Sequence, residues 1–136
     1  MAANPQFAQT PEFNLVSFSL SGTSSRTSAS SNCLRLITGS TASGYYGTKI
    51  TQIGAKVAGN NNATSVLIFI TNTSGTSPKL FDEIALISFT ASTTQPSYRN
   101  VTSYSDLQLK SGQKVLVGIT VAVTDGVNIF AIKGDY

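Results

Sequence analysis

The chain predicts an all-β fold: an antiparallel β-sandwich of about eight strands, jelly-roll-like, with an extended N-terminal arm. Three observations lead there. Apolar and polar residues alternate with a period of two in one segment after another. Clusters of Gly, Asn, Ser and Pro interrupt these segments roughly every 10–15 residues, the spacing of strands in a sandwich. The composition is hydroxyl-rich and β-branched, which suits a pleated surface, and no helical period recurs anywhere.

Residues 1–12 form the predicted arm. Pro5 and Pro11 favour extended backbone around them, and Phe7 is the one large apolar side chain before Phe13. Residues 13–136 form one predicted sandwich domain, a normal size for a single domain. Its first strand starts at Phe13 and alternates Val16, Phe18 and Leu20 with serines. A Ser/Thr/Gly-rich link over 21–31 leads to a short strand over 33–38, then to a loop with Tyr45 and Tyr46 beside glycines. In the strand predicted over 49–58, Ile53, Ala55 and Val57 share one face and Gln52 and Lys56 the other. Gly59 followed by Asn60, Asn61 and Asn62 marks a turn.

The segment 65–71 is apolar on both faces and predicts a strand at the centre of a two-layer structure. After a polar loop over 72–78, a strand is predicted over 80–90 and a turn region over 91–100. A short strand follows over 101–104. The clearest alternation lies over 115–123, Asp125-Gly126 reads as a hairpin dipeptide, and residues 127–133 return as the last strand.

Composition bears directly on function. The chain has no histidine, one cysteine and six carboxylates, against 19 Ser and 17 Thr. Catalysis needs groups that move protons or activate nucleophiles, so no enzymatic activity, no metal and no cofactor are expected. Asp82 and Glu83 are adjacent, so on a strand they point to opposite faces and cannot work as an acid–base pair. The nine basic residues are scattered from Arg26 to Lys133 with no two adjacent, which predicts no nucleic-acid partner. Cys33 sits in an apolar run and reads as an inert thiol. The segment MAANPQFAQTPEF lacks the basic and apolar regions of a secretory signal, and the longest apolar run is too short for a membrane helix. Three Asn-x-Ser/Thr triplets, at Asn62, Asn72 and Asn100, are no more than a quarter-Ser/Thr chain produces by chance.

A family resemblance adds what composition does not. Gly47-Thr48-Lys49-Ile50-Thr51-Gln52-Ile53 is followed by Lys56-Val57-Ala58-Gly59-Asn60-Asn61-Asn62-Ala63-Thr64, then by the apolar strand over 66–70. Leu80-Phe81-Asp82-Glu83-Ile84 and the terminus Val127-Asn128-Ile129-Phe130-Ala131-Ile132-Lys133-Gly134-Asp135-Tyr136 complete the order. Over 47–136 this order resembles the head decoration, or cement, proteins of tailed bacteriophages. The resemblance implies a structural virion protein, made in the host bacterial cytoplasm, that binds the outside of an assembled capsid and stabilises it. Its implied partners are the major capsid protein and itself, as a homodimer or homotrimer, with no membrane involved. Pro5, Phe7, Pro11 and Phe13 of the arm region and the loop tyrosines Tyr45 and Tyr46 are the expected contact residues. The alternatives are a carbohydrate- or surface-binding module of a head fibre or adhesin, and a tail structural subunit.

Overall fold

The computed structural model describes residues 10–18, 23–29 and 31–136. Eight strands follow one another: β1 (Thr10–Phe18), β2 (Leu34–Thr38), β3 (Gly47–Val57), β4 (Thr64–Ile70), β5 (Lys79–Leu86), β6 (Arg99–Lys110), β7 (Lys114–Ile119) and β8 (Val127–Asp135). They form two four-stranded antiparallel sheets, one in the order β1-β8-β3-β6 and the other in the order β2-β7-β4-β5. That interleaving, in which successive strands mostly change sheets, is the jelly roll. The predicted sandwich and its eight strands are therefore both present.

The core lies between the two central strand pairs. Ile53, Ala55 and Val57 of β3 and Ile129 and Ala131 of β8 face Val66 and Ile68 of β4 and Val117 and Ile119 of β7. β-Branched side chains hold few rotamers, so packing them into a sheet interior costs little further entropy. β4 is also buried on its outer side at Leu67 and Phe69, as its two apolar faces require. The β1–β2 link crosses the outer face of this sheet at Gly118, the cross-strand partner of Leu67. A Cβ on Gly118 would lie 2.6 Å from Ser24 Oγ and 3.0 Å from Cys33 Sγ, so a larger residue would lift the link away. Farther along, Arg26 reaches Glu83 on β5 at 2.6 Å.

Side chains also seal both open edges of the sandwich. At one edge, Asn14 of β1 donates its Nδ2–H to the Leu36 carbonyl of β2 at 3.3 Å. At the other, the Tyr104 hydroxyl of β6 donates to Asp82 Oδ2 of β5 at 2.7 Å, with the Phe81 ring 5.8 Å away. Burial, the hydrogen bond to Asp82 and the charge of that carboxylate together push the Tyr104 phenol well above its ordinary range.

Three expectations need adjustment. β1 begins at Thr10 rather than Phe13, because residues 10–12 continue the β8 ladder opposite residues 133–135; residues 1–9, with Pro5 and Phe7, and Leu20 lie outside the described residues. The short strand expected over 101–104 is part of the longest one, since β6 follows β3 from Lys56 to Gly47 across a register shift at residues 50–52. Asp125-Gly126 does not close a hairpin. β7 and β8 belong to different sheets, and the turn there, with Gly126 N–H donating to the Val123 carbonyl at 3.1 Å, carries the chain from one layer to the other.

Two outcomes follow. Ile68→Ala should lower unfolding free energy by about 2–5 kcal/mol, as core truncations do, whereas Ile87→Ala, at an exposed side chain, should stay within about 0.5 kcal/mol; denaturant titration measures both. For Tyr104, the folded-state phenol ionises at higher pH than the unfolded one. Its contribution is therefore fully present below about pH 10, the ordinary phenol value, and is lost as pH rises through the folded-state value. Tyr104→Phe should cost about 1 kcal/mol at neutral pH and should flatten the alkaline fall in stability relative to wild type.

Candidate interaction surface

Among the described residues, the outer face of the β1-β8-β3-β6 sheet leaves large apolar side chains exposed, whereas the β1–β2 link crosses the other sheet at Gly118. Along β1, residues alternate strictly: Phe18 is buried and Val16 packs against the core, while Phe13 and Leu15 point outward and are each 58% exposed. Their cross-strand partners on β8 are Ile132 and Phe130. The Phe13 and Phe130 rings stack with centroids 5.6 Å apart and an interplanar angle of 24°. Phe130 continues inward over Gly54 of β3, where a Cβ would come within 2.5 Å of its ring and 2.8 Å of the Val101 methyl. Glycine at position 54 thus lets Phe130 lie flat and join Val101 of β6 to the patch.

The result is an apolar row of Leu15, Phe130 and Val101 beside a second pair, Phe13 and Ile132. Polar residues border it: Ser17 and Asn128, hydrogen-bonded at 2.7 Å, and then Lys56 and Arg99 along the next row. An apolar centre with a polar rim is how recognition surfaces are built, and contiguous exposed apolar area of this kind marks interaction sites.

The end of the sandwich where β1 begins joins this face. There the 39–46 loop is tied down by its backbone: Tyr46 N–H donates to the Tyr136 carbonyl at 2.6 Å, and Ser111 N–H donates to the Tyr46 carbonyl at 3.2 Å. With its backbone held, the Tyr46 ring stands 76% exposed, while Tyr45 is half-buried. Tyr136 is buried, its hydroxyl directed to the Leu109 carbonyl. Beneath the loop, Thr48 donates to Asp135 Oδ1 at 2.7 Å and accepts from Ser40 N–H at 2.9 Å. Lys133, with a side chain only 11% exposed, bridges Glu12 at 3.0 Å and Asp135 at 3.5 Å. This ion pair fastens the first residues of β1 to β8.

Of the expected contact residues, Pro11 and Phe13 therefore lie on the outer side of β1, and Tyr46 lies at the same end. Pro11 occupies an edge strand, where a missing N–H is tolerated and discourages pairing with another strand. The sequence reading missed Leu15, Phe130 and Ile132. Their signal was present as a second apolar phase, since β1 and β8 carry large apolar residues at both odd and even positions.

Among the described residues, no three His, Cys, Asp or Glu side chains gather in a way that could hold a metal ion, and no helix is long and apolar enough to cross a membrane.

No family model matches the chain, and no curated protein matches it. Among solved structures, the structure of Eiger TNF from S. frugiperda is similar with a TM-score of 0.43 and 13% identity, covering 92% of each chain. Nothing about partners follows from a likeness at that level.

Lys133→Ala should strip the anchor from the start of β1. The expected effect is a loss of about 1–2 kcal/mol for this partly exposed cluster. Hydrogen exchange should lose protection at Glu12 while the β3 and β4 amides stay protected.

Proposed function

We propose that this chain is a structural virion protein that binds the outer surface of an assembled phage capsid and stabilises it. The observation that carries the reading is the apolar face of Phe13, Leu15, Phe130 and Ile132, left open among the described residues on a sandwich whose other sheet is crossed by its own β1–β2 link at Gly118. The ordered run of segments over 47–136 that resembles phage decoration proteins supports it, and the shell is the occupant that reading gives to the face. In this reading the protein turns over no substrate and uses no cofactor. It binds neither nucleic acid nor membrane.

Adhesion of this kind needs area and repetition. A rigid face presented many times over a symmetric lattice turns modest contacts into avid attachment. The exposed Tyr46 extends the same contact from the adjoining end of the sandwich; Pro5 and Phe7, expected to contribute, lie outside the described residues.

Shells lacking the protein provide the test. The wild-type chain should co-sediment with them and raise their resistance to heat, and the double variant Phe13→Asp, Leu15→Asp should bind at least about tenfold more weakly, consistent with loss of central apolar contacts. Because both side chains are exposed, its unfolding midpoint should stay near wild type. Failure of the wild-type chain to bind shells would overturn the reading. A double variant that binds normally would remove this face from it, and loss of self-association without loss of shell binding would assign the face to a second copy.

A further inference from the structure

Opposite the end that carries Tyr46 and the start of β1, three loops meet around a cavity of about 370 Å³. They are residues 60–62 between β3 and β4, residues 88–90 between β5 and β6, and residues 124–125 between β7 and β8. We infer that this cavity is a binding site for a neutral saccharide, independent of the adhesive face.

The walls are fixed before any ligand arrives. Asn61 and Phe89 exchange backbone hydrogen bonds at 3.0 and 3.1 Å, joining the first two loops. Asn60 N–H donates to Asp125 Oδ2 at 2.9 Å, joining the first to the third, and Asn60 Oδ1 accepts from Ala91 N–H at 2.8 Å. Pre-set loops of this kind lower the ordering cost of binding.

Asn61 supplies the observation that points to a ligand. Its side chain lies in the cavity wall and is only 6% exposed. Both amide hydrogens are committed, to the Ile87 carbonyl at 2.6 Å and the Asn62 carbonyl at 3.0 Å. That fixes the orientation of the amide, since reversing it would set an oxygen against two carbonyls. Oδ1 is then a buried acceptor with no donor from the chain, a situation native proteins rarely leave unanswered.

The surrounding groups define the class of donor. Asn60 Nδ2 and the Asn62 amide can donate, the second Asp125 oxygen can accept, and the Thr90 and Thr124 hydroxyls can do either. Phe89 contributes a half-buried ring, backed by Tyr98 with centroids 6.4 Å apart. A ligand matching this must give and take hydrogen bonds at several points and present an apolar patch to a ring, which is the chemistry of a sugar. No lysine or arginine lines the cavity, so an anionic ligand would lack a counter-charge. A calcium ion would want several carboxylate or carbonyl oxygens, whereas a single carboxylate lines the cavity and one of its oxygens already serves Asn60.

The experiment uses the full chain, isotope-labelled, titrated with methyl glycosides of glucose, galactose, mannose and N-acetylglucosamine, alongside an array of neutral oligosaccharides. At least one probe should bind, moving amide resonances of residues 60–62, 88–90 and 124–125 and leaving those of Tyr46 and Phe13 in place. The variant Asn62→Ala, Thr124→Ala changes two exposed side chains. It should weaken that binding by roughly tenfold or more without altering shell attachment. The inference falls if no glycoside or oligosaccharide binds, if the shifts map elsewhere, or if calcium chloride alone reproduces them. Shell binding is read separately, so failure here leaves the proposed function standing, and the reverse also holds.

Discussion

Everything in this molecule depends on strands that are neighbours in the chain being, with one exception, strangers in the sheets. Only β4 and β5 are consecutive and paired; every other pairing joins strands separated by at least two intervening elements. Neither sheet can therefore be completed while the other is missing, and no hairpin is available as a stable fragment beyond that single pair. Stability has to come from closing the two layers on each other, which is where the fully buried Ile, Val and Leu side chains are concentrated. Such non-local topologies fold slowly for their size because loop closure is costly before contacts repay it. In return they give a frame whose faces and ends can change chemistry without disturbing the interior.

That frame treats its two outer faces differently. On one sheet, the link between β1 and β2 is laid over Gly118 and fastened by Arg26 to Glu83, so the apolar side chains of β4 are buried on both sides. On the other, nothing in the described chain covers Phe13, Leu15 or Ile132, although they are comparably apolar. The contrast is informative because both faces were free to be polar. A chain with 36 Ser and Thr residues could have supplied either at positions 13, 15 and 132, as it did at Ser17 and Thr51. Phe130 resting on Gly54 adds that the patch is shaped as well as greasy, since glycine weakens a strand interior unless a close approach requires it.

How far the sequence discloses this depends on whether the deciding signal is local. The two-faced apolar run of β4 and the Ile53, Ala55, Val57 face of β3 depend on a residue's own neighbours, and both are where alternation places them. Phe13 and Tyr46, named as contact candidates from the arm region and from a loop beside glycines, are both exposed. The extent of β6 beyond 101–104 is not legible, because Asn100 and Gln108 to Lys110 are held in the strand by pairing with Ala55 and with residues 47–49 of β3, which local sequence does not disclose. Asp125-Gly126 reads as a hairpin because the dipeptide fits one, but whether flanking strands pair is a property of the whole topology. Leu15, Phe130 and Ile132 sit in the second phase of strands whose first phase already fills the core, so alternation alone assigns them no partner. The cavity is least legible of all: Asn60, Phe89 and Asp125 come from three separate turns, and only the jelly-roll ends bring them together.

The same connectivity decides which end can do what. The loops that follow β1, β3, β5 and β7 gather at one end, while those that follow β2, β4 and β6 share the other with the start of β1 and the end of β8. The first described residues of β1 and Tyr46 therefore share one end, next to the apolar face. A site assembled from the β3–β4, β5–β6 and β7–β8 turns can form only at the far end, one sandwich length away. In the proposed reading, attachment through the adjoining apolar face would leave that far end uncovered. The two surfaces also use opposite chemistry, large rings and aliphatic side chains on one and amides and hydroxyls around a single ring on the other. Neither partner would be drawn to the other's site, so in the proposed reading a single small domain would hold on through its apolar face and remain open to a polar ligand at its far end.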